Sequence, residues 1–144
     1  MVLGSRLSRT QNVIDGDDKK CSPSRTRVIV VTGGSSGIGR ATAVAFARTG
    51  AKVVIADIKE EGGRQTVQLV KDAGGEGMFV HTDVSREADV AALMDGAAET
   101  YGRIDCAFNN AGRELNVGIT DGTEADFDGI VATNTKGGVL LPQT

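Results

Sequence analysis

The densest chemistry in the sequence lies in eight residues, Thr32-Gly33-Gly34-Ser35-Ser36-Gly37-Ile38-Gly39. Glycines at this spacing let a chain turn sharply, bring bare N–H groups against a pyrophosphate, and aim the positive end of a following helix at it. Gly33 is expected to make the turn, Gly37 the close approach to phosphate, and Gly39 the close packing of helix on sheet. The Ser36 hydroxyl and the Ile38 N–H are candidate donors to phosphate or ribose. A nucleoside-triphosphate loop has a compatible spacing from Gly34 to Gly39 but requires Lys and then Ser or Thr next. Arg40 and Ala41 stand there instead, so the lysine for the terminal phosphates and the hydroxyl for magnesium are missing.

A second marker follows at Asp57, 20 residues beyond Gly37. A carboxylate there can accept both hydroxyls of an adenosine ribose and would repel a 2'-phosphate. NAD is therefore the expected cofactor. Lys59 close by keeps NADP as the less favoured choice.

These residues need strands and helices to hold them, and the pattern supplies both. From Arg27 short apolar runs alternate with helix-period segments, the sequence sign of βαβ units. Val28 to Val31 is solidly apolar, as for a strand covered on both faces. A helix is expected from about Gly37 to Thr49, with Ile38, Ala41, Ala45 and Phe46 on one side. Further strands are expected at Val53 to Ala56, Met78 to Val80 and Ile104 to Phe108, with a helix around Gln65 to Ala73. The clearest helix carries Val90, Leu93, Met94, Ala97, Ala98 and Tyr101 at helical spacing, with Ser85 as its expected N-cap. Thr123 and Asp126 form a capping-box-like start to a last helix, whose apolar face holds Phe127, Ile130, Val131, Asn134, Gly138 and Leu141. The expected fold class is α/β, a partial Rossmann-type, doubly wound parallel sheet in strand order 3-2-1-4.

Taken together these residues resemble the short-chain dehydrogenase/reductase family. The pattern TGxxxGxG is similar to that family's form of the cofactor loop. Asp83-Val84 after the third strand looks like its adenine-holding pair, a carboxylate for the amino group and a backbone N–H for the ring. Asn109-Asn110-Ala111-Gly112 resembles its NNAG motif, so that Asn110, Ala111 and Gly112 are implied beside the cofactor ribose. Asn134-Thr135-Lys136-Gly137 resembles the family's N-x-K-G segment, which implies a catalytic role for Asn134. The resemblance runs from about Arg27 to Leu141. The catalytic Ser and the Tyr-x-x-x-Lys motif of the family are not found in these residues. The only tyrosine, Tyr101, has Asp105 four residues on and sits on an apolar helix face, so it is expected in the core. Pro142 falls where the last helix should continue, at a cost of about 3 kcal/mol for an interior proline.

Composition narrows the remaining classes. The chain has 144 residues, enough for one core, with 40% hydrophobic and 24% charged residues. A net charge of -3 with no basic cluster argues against nucleic acid. No run is long enough for a membrane-spanning helix, and the N-terminus lacks the apolar centre of a secretory signal. Cys21 and Cys106 stand far apart, with neither a disulfide framework nor a metal site implied, and a reducing, cytoplasmic location is expected. Cys106 is expected to be buried, and His81 to close a strand without catalytic partners. Residues Met1 to Thr26 are polar and aperiodic and are expected to form a disordered extension, leaving 27–144 as an incomplete NAD-binding domain.

By resemblance the full-length form is an NAD-dependent oxidoreductase that interconverts a small-molecule alcohol and a ketone, and works as a homo-oligomer. This chain would supply the cofactor site and be inactive alone. The alternative is a non-catalytic nucleotide-binding or interaction module. A methyltransferase-like Rossmann domain leaves NNAG and Asp83-Val84 unexplained together.

Overall fold

In the computed structural model, residues 26–118 and 120–140 are described, the last two by their backbone alone. The expected disordered extension over Met1 to Thr26, the helix-face position of Leu141 and the break at Pro142 lie outside the described residues, apart from exposed Thr26.

Four strands, β1 (Val28–Thr32), β2 (Lys52–Asp57), β3 (Glu76–His81) and β4 (Cys106–Phe108), form one sheet in the order β3-β2-β1-β4. All three pairings are parallel, with Val30 opposite both Val54 and Ala107. The order and direction are those expected. Helices α1 (Gly37–Arg48), α2 (Glu60–Asp72) and α3 (Glu87–Tyr101) make the crossovers. A short α4 (Glu124–Ile130) runs through a π-helical turn at Val131–Lys136 into α5 (Gly137–Leu140).

Helices cover both faces of the sheet, which is why β1 carries no polar alternation and is buried at every residue. On one face Val28, Val30, Val54 and Ala56 pack against Val90, Leu93 and Ala97 of α3. On the other, Ile29, Val31, Val53 and Ile55 meet Ala43 and Ala47 of α1 and Val70 of α2. Tyr101 packs at the margin of the first cluster, with the Lys52 Nζ 4.9 Å from its ring centroid. Its hydroxyl is pushed above the usual phenol range by burial, and further by the charge of Glu76.

Several local expectations need correction. The buried stripe of α1 is Gly39, Ala43 and Ala47 rather than Ile38, Ala41 and Ala45. Small side chains let this helix lie close on β1 and β2, and that rotation leaves Ile38 71% exposed. Ser85 is not the N-cap of α3: the cap position is Arg86, and the Ser85 hydroxyl turns back to the Asp83 carboxylate at 2.7 Å. Cys106 is exposed, because β4 is an edge of the sheet and α1 covers the centre. Asp105 still ties this edge to β1, its Oδ2 accepting from the Val28 N–H at 2.8 Å and its own N–H donating to the Val28 carbonyl at 2.9 Å. Thr123 and Asp126 do form a reciprocal capping box at the start of α4.

Candidate functional site

In a parallel sheet the loops leaving the C-terminal strand ends converge, and the crevice opens where successive crossovers go to opposite faces. That point here lies between β1 and β4. A cleft of about 980 Å³ opens there, lined by Gly33, Ser36, Gly37, Ile38, Asp57, Asp83, Val84, Asn110, Ala111 and Gly112. Gly39 packs behind the lining residues Gly33 and Asn110, and Asn134 lines a small adjoining hollow with Thr32 and Asn109. Residues up to about 100 positions apart in sequence are thus brought to one place by the topology.

The glycine loop is shaped by two close approaches. Gly33 has φ +65°, which L side chains rarely adopt, and a Cβ there would sit 2.8 Å from the Asn110 Nδ2. At Gly39 a Cβ would sit 2.2 Å from the Gly33 carbonyl oxygen, so helix and loop touch backbone to backbone. Gly37 differs, since a Cβ there would meet nothing within 4 Å. Its side faces open cleft. No side chain caps α1, so the first-turn N–H groups stay available to an anion in the cleft. A pyrophosphate fits this cradle by chemistry and by clearance.

The Asn110 carboxamide braces the loop by donating to the carbonyls of Thr32 at 3.1 Å and Gly33 at 3.3 Å. The Thr32 hydroxyl accepts from the N–H groups of Asn110 and Ala111, each at 3.1 Å. The NNAG segment therefore locks β4 to the glycine loop and exposes Gly112 to the cleft.

Asp57 is held from both sides. Its Oδ2 accepts from the Ser35 N–H at 3.0 Å and its Oδ1 from the Lys59 N–H at 2.9 Å. Each oxygen keeps further acceptor capacity for a ribose hydroxyl. At the next strand end, Asp83 lies half-buried with its Oδ1 taken by Ser85. The Ser85 hydroxyl bond holds this carboxyl below the usual carboxylate range, against the opposing effect of burial, with smaller help from Arg86 and His81.

Asn134 lies within the π-helical turn, the kind of helix irregularity that often accompanies function. Its Oδ1 accepts from the Arg113 N–H at 2.7 Å and its Nδ2 donates to the Arg113 carbonyl at 3.0 Å. The amide on the helix face is thus satisfied by the chain just past NNAG, and it fixes the wall of the cleft there.

Sequence reasoning missed Arg40 except as the place where a lysine was lacking. Its guanidinium spans from α1 to α2, donating to the Ser35 carbonyl, to the Thr66 hydroxyl at 3.0 Å and to the Gly62 carbonyl at 3.4 Å. A cation in the first turn of a helix opposes the helix dipole, and that was the available sign that it must be partnered elsewhere. His81 is exposed at the end of β3, opposite Asp57 in register, with no nucleophile bonded to it among the described residues.

A family model described as short chain dehydrogenase matches residues 27–144. The chain belongs to that family. An uncharacterized oxidoreductase from Thermotoga maritima is 45% identical over 115 residues, covering 80% of this chain and 45% of the relative. Levodione reductase from Leifsonia aquatica is 42% identical over 114 residues, covering 77% of this chain and 43% of the relative. Among solved structures, a short chain dehydrogenase/reductase from Burkholderia phymatum in complex with NAD superposes with a TM-score of 0.76 at 37% identity, over 80% of this chain and 41% of that one. A 3-ketoacyl-(acyl-carrier-protein) reductase from Brucella melitensis complexed with NADH gives 0.73 at 35% identity, over 80% of this chain and 46% of that one. The chain therefore spans less than half the length of these relatives. Among the described residues no helix is long and apolar enough to cross a membrane.

Proposed function

We propose that this short-chain dehydrogenase segment is the NAD site of an oxidoreductase that interconverts a secondary alcohol and a ketone. The observation that carries the reading is Asp57, whose two oxygens are each steadied by one backbone N–H at the mouth of the dinucleotide cleft. A carboxylate so fixed accepts ribose hydroxyls and repels a 2'-phosphate. Bound NAD would supply the hydride acceptor. The chain's own residues would do the holding: Gly33, Ser36, Gly37, Ile38 and Gly39 at the pyrophosphate, Asp83 and Val84 at the adenine, and Asn110, Ala111 and Gly112 beside the cofactor ribose. Asn134 would support a proton relay, through a backbone position steadied by its clamp on Arg113. In this reading the full-length protein is a cytoplasmic homo-oligomer and the substrate is a small molecule.

The 144 residues include no Tyr-x-x-x-Lys, and general acid/base groups typically contribute 10²- to 10⁴-fold in rate. A second reading is a nucleotide-binding module that does no chemistry itself. The test is a calorimetric titration of the 144-residue chain with NAD and with NADP, alongside an assay with NAD and a panel of secondary alcohols. The expected result is NAD binding at least about tenfold tighter than NADP, about 1.4 kcal/mol, and no turnover. Tighter NADP binding would refute the assignment of Asp57, and turnover above background would refute the division of labour.

A further inference from the structure

The turn between β3 and α3 contains bonds that the cofactor reading does not use. Asp83 follows β3 by two residues, and three contacts fix it. Its Oδ1 accepts twice from one residue, from the Ser85 N–H at 3.0 Å and from the Ser85 hydroxyl at 2.7 Å. Its own N–H donates to the Oδ2 of Asp89 in the first turn of α3, at 3.1 Å. Asp89 is in turn 3.7 Å from the Arg86 guanidinium. The Asp83 Oδ2 receives no bond from any described residue, and Asp83 lines the cleft beside Thr82, Val84 and Ser85.

We infer that Ser85 is a positioning residue for the base, fixing the Asp83 carboxylate so that its Oδ2 is left to accept from an exocyclic amino group. This deepens the reading of the cleft as an NAD site and rests on it. The argument is one of geometry and acceptor count. A carboxylate turns about a soft terminal torsion with broad minima, and one held by a single backbone N–H could swing its plane so that its free oxygen no longer meets a donor in the cleft. The hydroxyl bond adds a second, charge-assisted restraint on the same oxygen, and such bonds are the strong ones. It also keeps the group ionised and so acceptor-only. An amino purine can donate to such an oxygen. A 6-oxo purine presents a carbonyl there, two acceptors then face each other, and an unpaired polar contact of this kind is costly.

Ser85 thus acts on discrimination between bases rather than on dinucleotide binding in general. Asp89 has a supporting part, because it holds the peptide from which the Asp83 side chain projects. The Val84 side chain is buried against Gly137, so the turn cannot slide to compensate.

The experiment is a set of calorimetric titrations of the 144-residue chain, its Ser85→Ala variant and its Ser85→Thr variant. The probes are NAD, nicotinamide hypoxanthine dinucleotide and nicotinamide mononucleotide. The unaltered chain is expected to prefer NAD over the hypoxanthine analogue by about tenfold or more, the effect of one hydrogen bond to a charged group. Ser85→Ala should lower that ratio by about fivefold or more and leave the mononucleotide affinity unchanged. Ser85→Thr, which keeps the hydroxyl, should retain the ratio. An unchanged ratio in Ser85→Ala, an equal loss for all three probes, or a collapsed ratio in folded Ser85→Thr would overturn the inference. If the unaltered chain binds neither dinucleotide, the cofactor reading itself fails and this inference fails with it.

Discussion

A Gly39→Ala chain is expected to lose about 3 kcal/mol of stability and to bind dinucleotide at least about 100-fold more weakly. The added methyl would lie 2.2 Å from the Gly33 carbonyl oxygen and 2.7 Å from the Asn110 Nδ2, both inside contact distance. Neither neighbour can move freely. Gly33 is in a left-handed turn, and the Asn110 carboxamide is committed to two carbonyls of the same loop. Relief therefore requires α1 to lift from β1, which opens the seam at Ala43 and Ala47 and displaces the first-turn N–H groups from the cleft. Gly37→Ala is the control for stability alone, because its methyl meets no protein atom within 4 Å and only the positive φ of +50° opposes it, while that methyl would enter the cleft. That strain is on the order of 1–2 kcal/mol. Chemical denaturation of the three chains checks the contrast in stability, and NAD titration of Gly39→Ala against the unaltered chain checks the loss of affinity. Equal stability of Gly39→Ala and the unaltered chain would show that the close approach is not what holds loop and helix together.

Removing the Asp57 carboxylate is expected to invert cofactor preference. Asp57→Ala should weaken NAD by about 100-fold, the order expected for losing charge-assisted bonds to both ribose hydroxyls. NADP should lose little or gain, since the repulsion of its 2'-phosphate disappears. The carboxylate also accepts from the N–H groups of Ser35 and Lys59, so part of the loss could come from loop disorder. Asp57→Asn separates the two effects. The amide keeps one oxygen acceptor for a loop N–H and drops the charge, so it should relax the NAD preference with a smaller loss of overall affinity. Titration of each variant with both dinucleotides reads this directly. A parallel fall for NAD and NADP in both variants would mean that Asp57 serves the loop alone.

Much of the fold and of the site could be read from the sequence, for reasons that concern particular residues. The solid apolar run Val28 to Val31 and the glycines after it are local signals, and a βαβ unit allows them essentially one arrangement. Thr123 with Asp126 was likewise a local device, and it forms as expected. Element ends were less legible. Strand β3 extends from Glu76 to His81 rather than Met78 to Val80, because backbone pairing with β2 continues under polar side chains, and Lys52 and Glu76 meet there in a 3.0 Å ion pair. Helix α2 begins at Glu60, before the pair Gly62 and Gly63 that reads locally as a helix breaker. Tertiary packing explains the glycine: a Cβ at Gly63 would lie 2.1 Å from the Phe79 ring, so the helix needs that position bare to sit on β3.

Long-range pairings left no local trace. The clamp of Asn134 on Arg113 joins residues 21 apart, and the Arg40 guanidinium joins two helices through side-chain and carbonyl bonds that no spacing rule predicts. Cys106 has a composition that suits a core and a position at a sheet edge that does not cover it. Ser85 had the residue type of an N-cap, and its hydroxyl found a stronger acceptor two residues back.

The central claim is that a dinucleotide lies across the C-terminal ends of β1, β2, β3 and β4, between the glycine loop and the NNAG segment. Its most direct test is the change in backbone amide NMR signals of the 144-residue chain on titration with NAD. The account predicts saturable shifts concentrated at Gly33 to Gly39, Asp57, Asp83 to Ser85 and Asn110 to Gly112, with the opposite strand ends near Lys52, Glu76 and Asp105 unmoved. Shifts that fall elsewhere, or no saturable shifts at millimolar NAD in a folded chain, would contradict it.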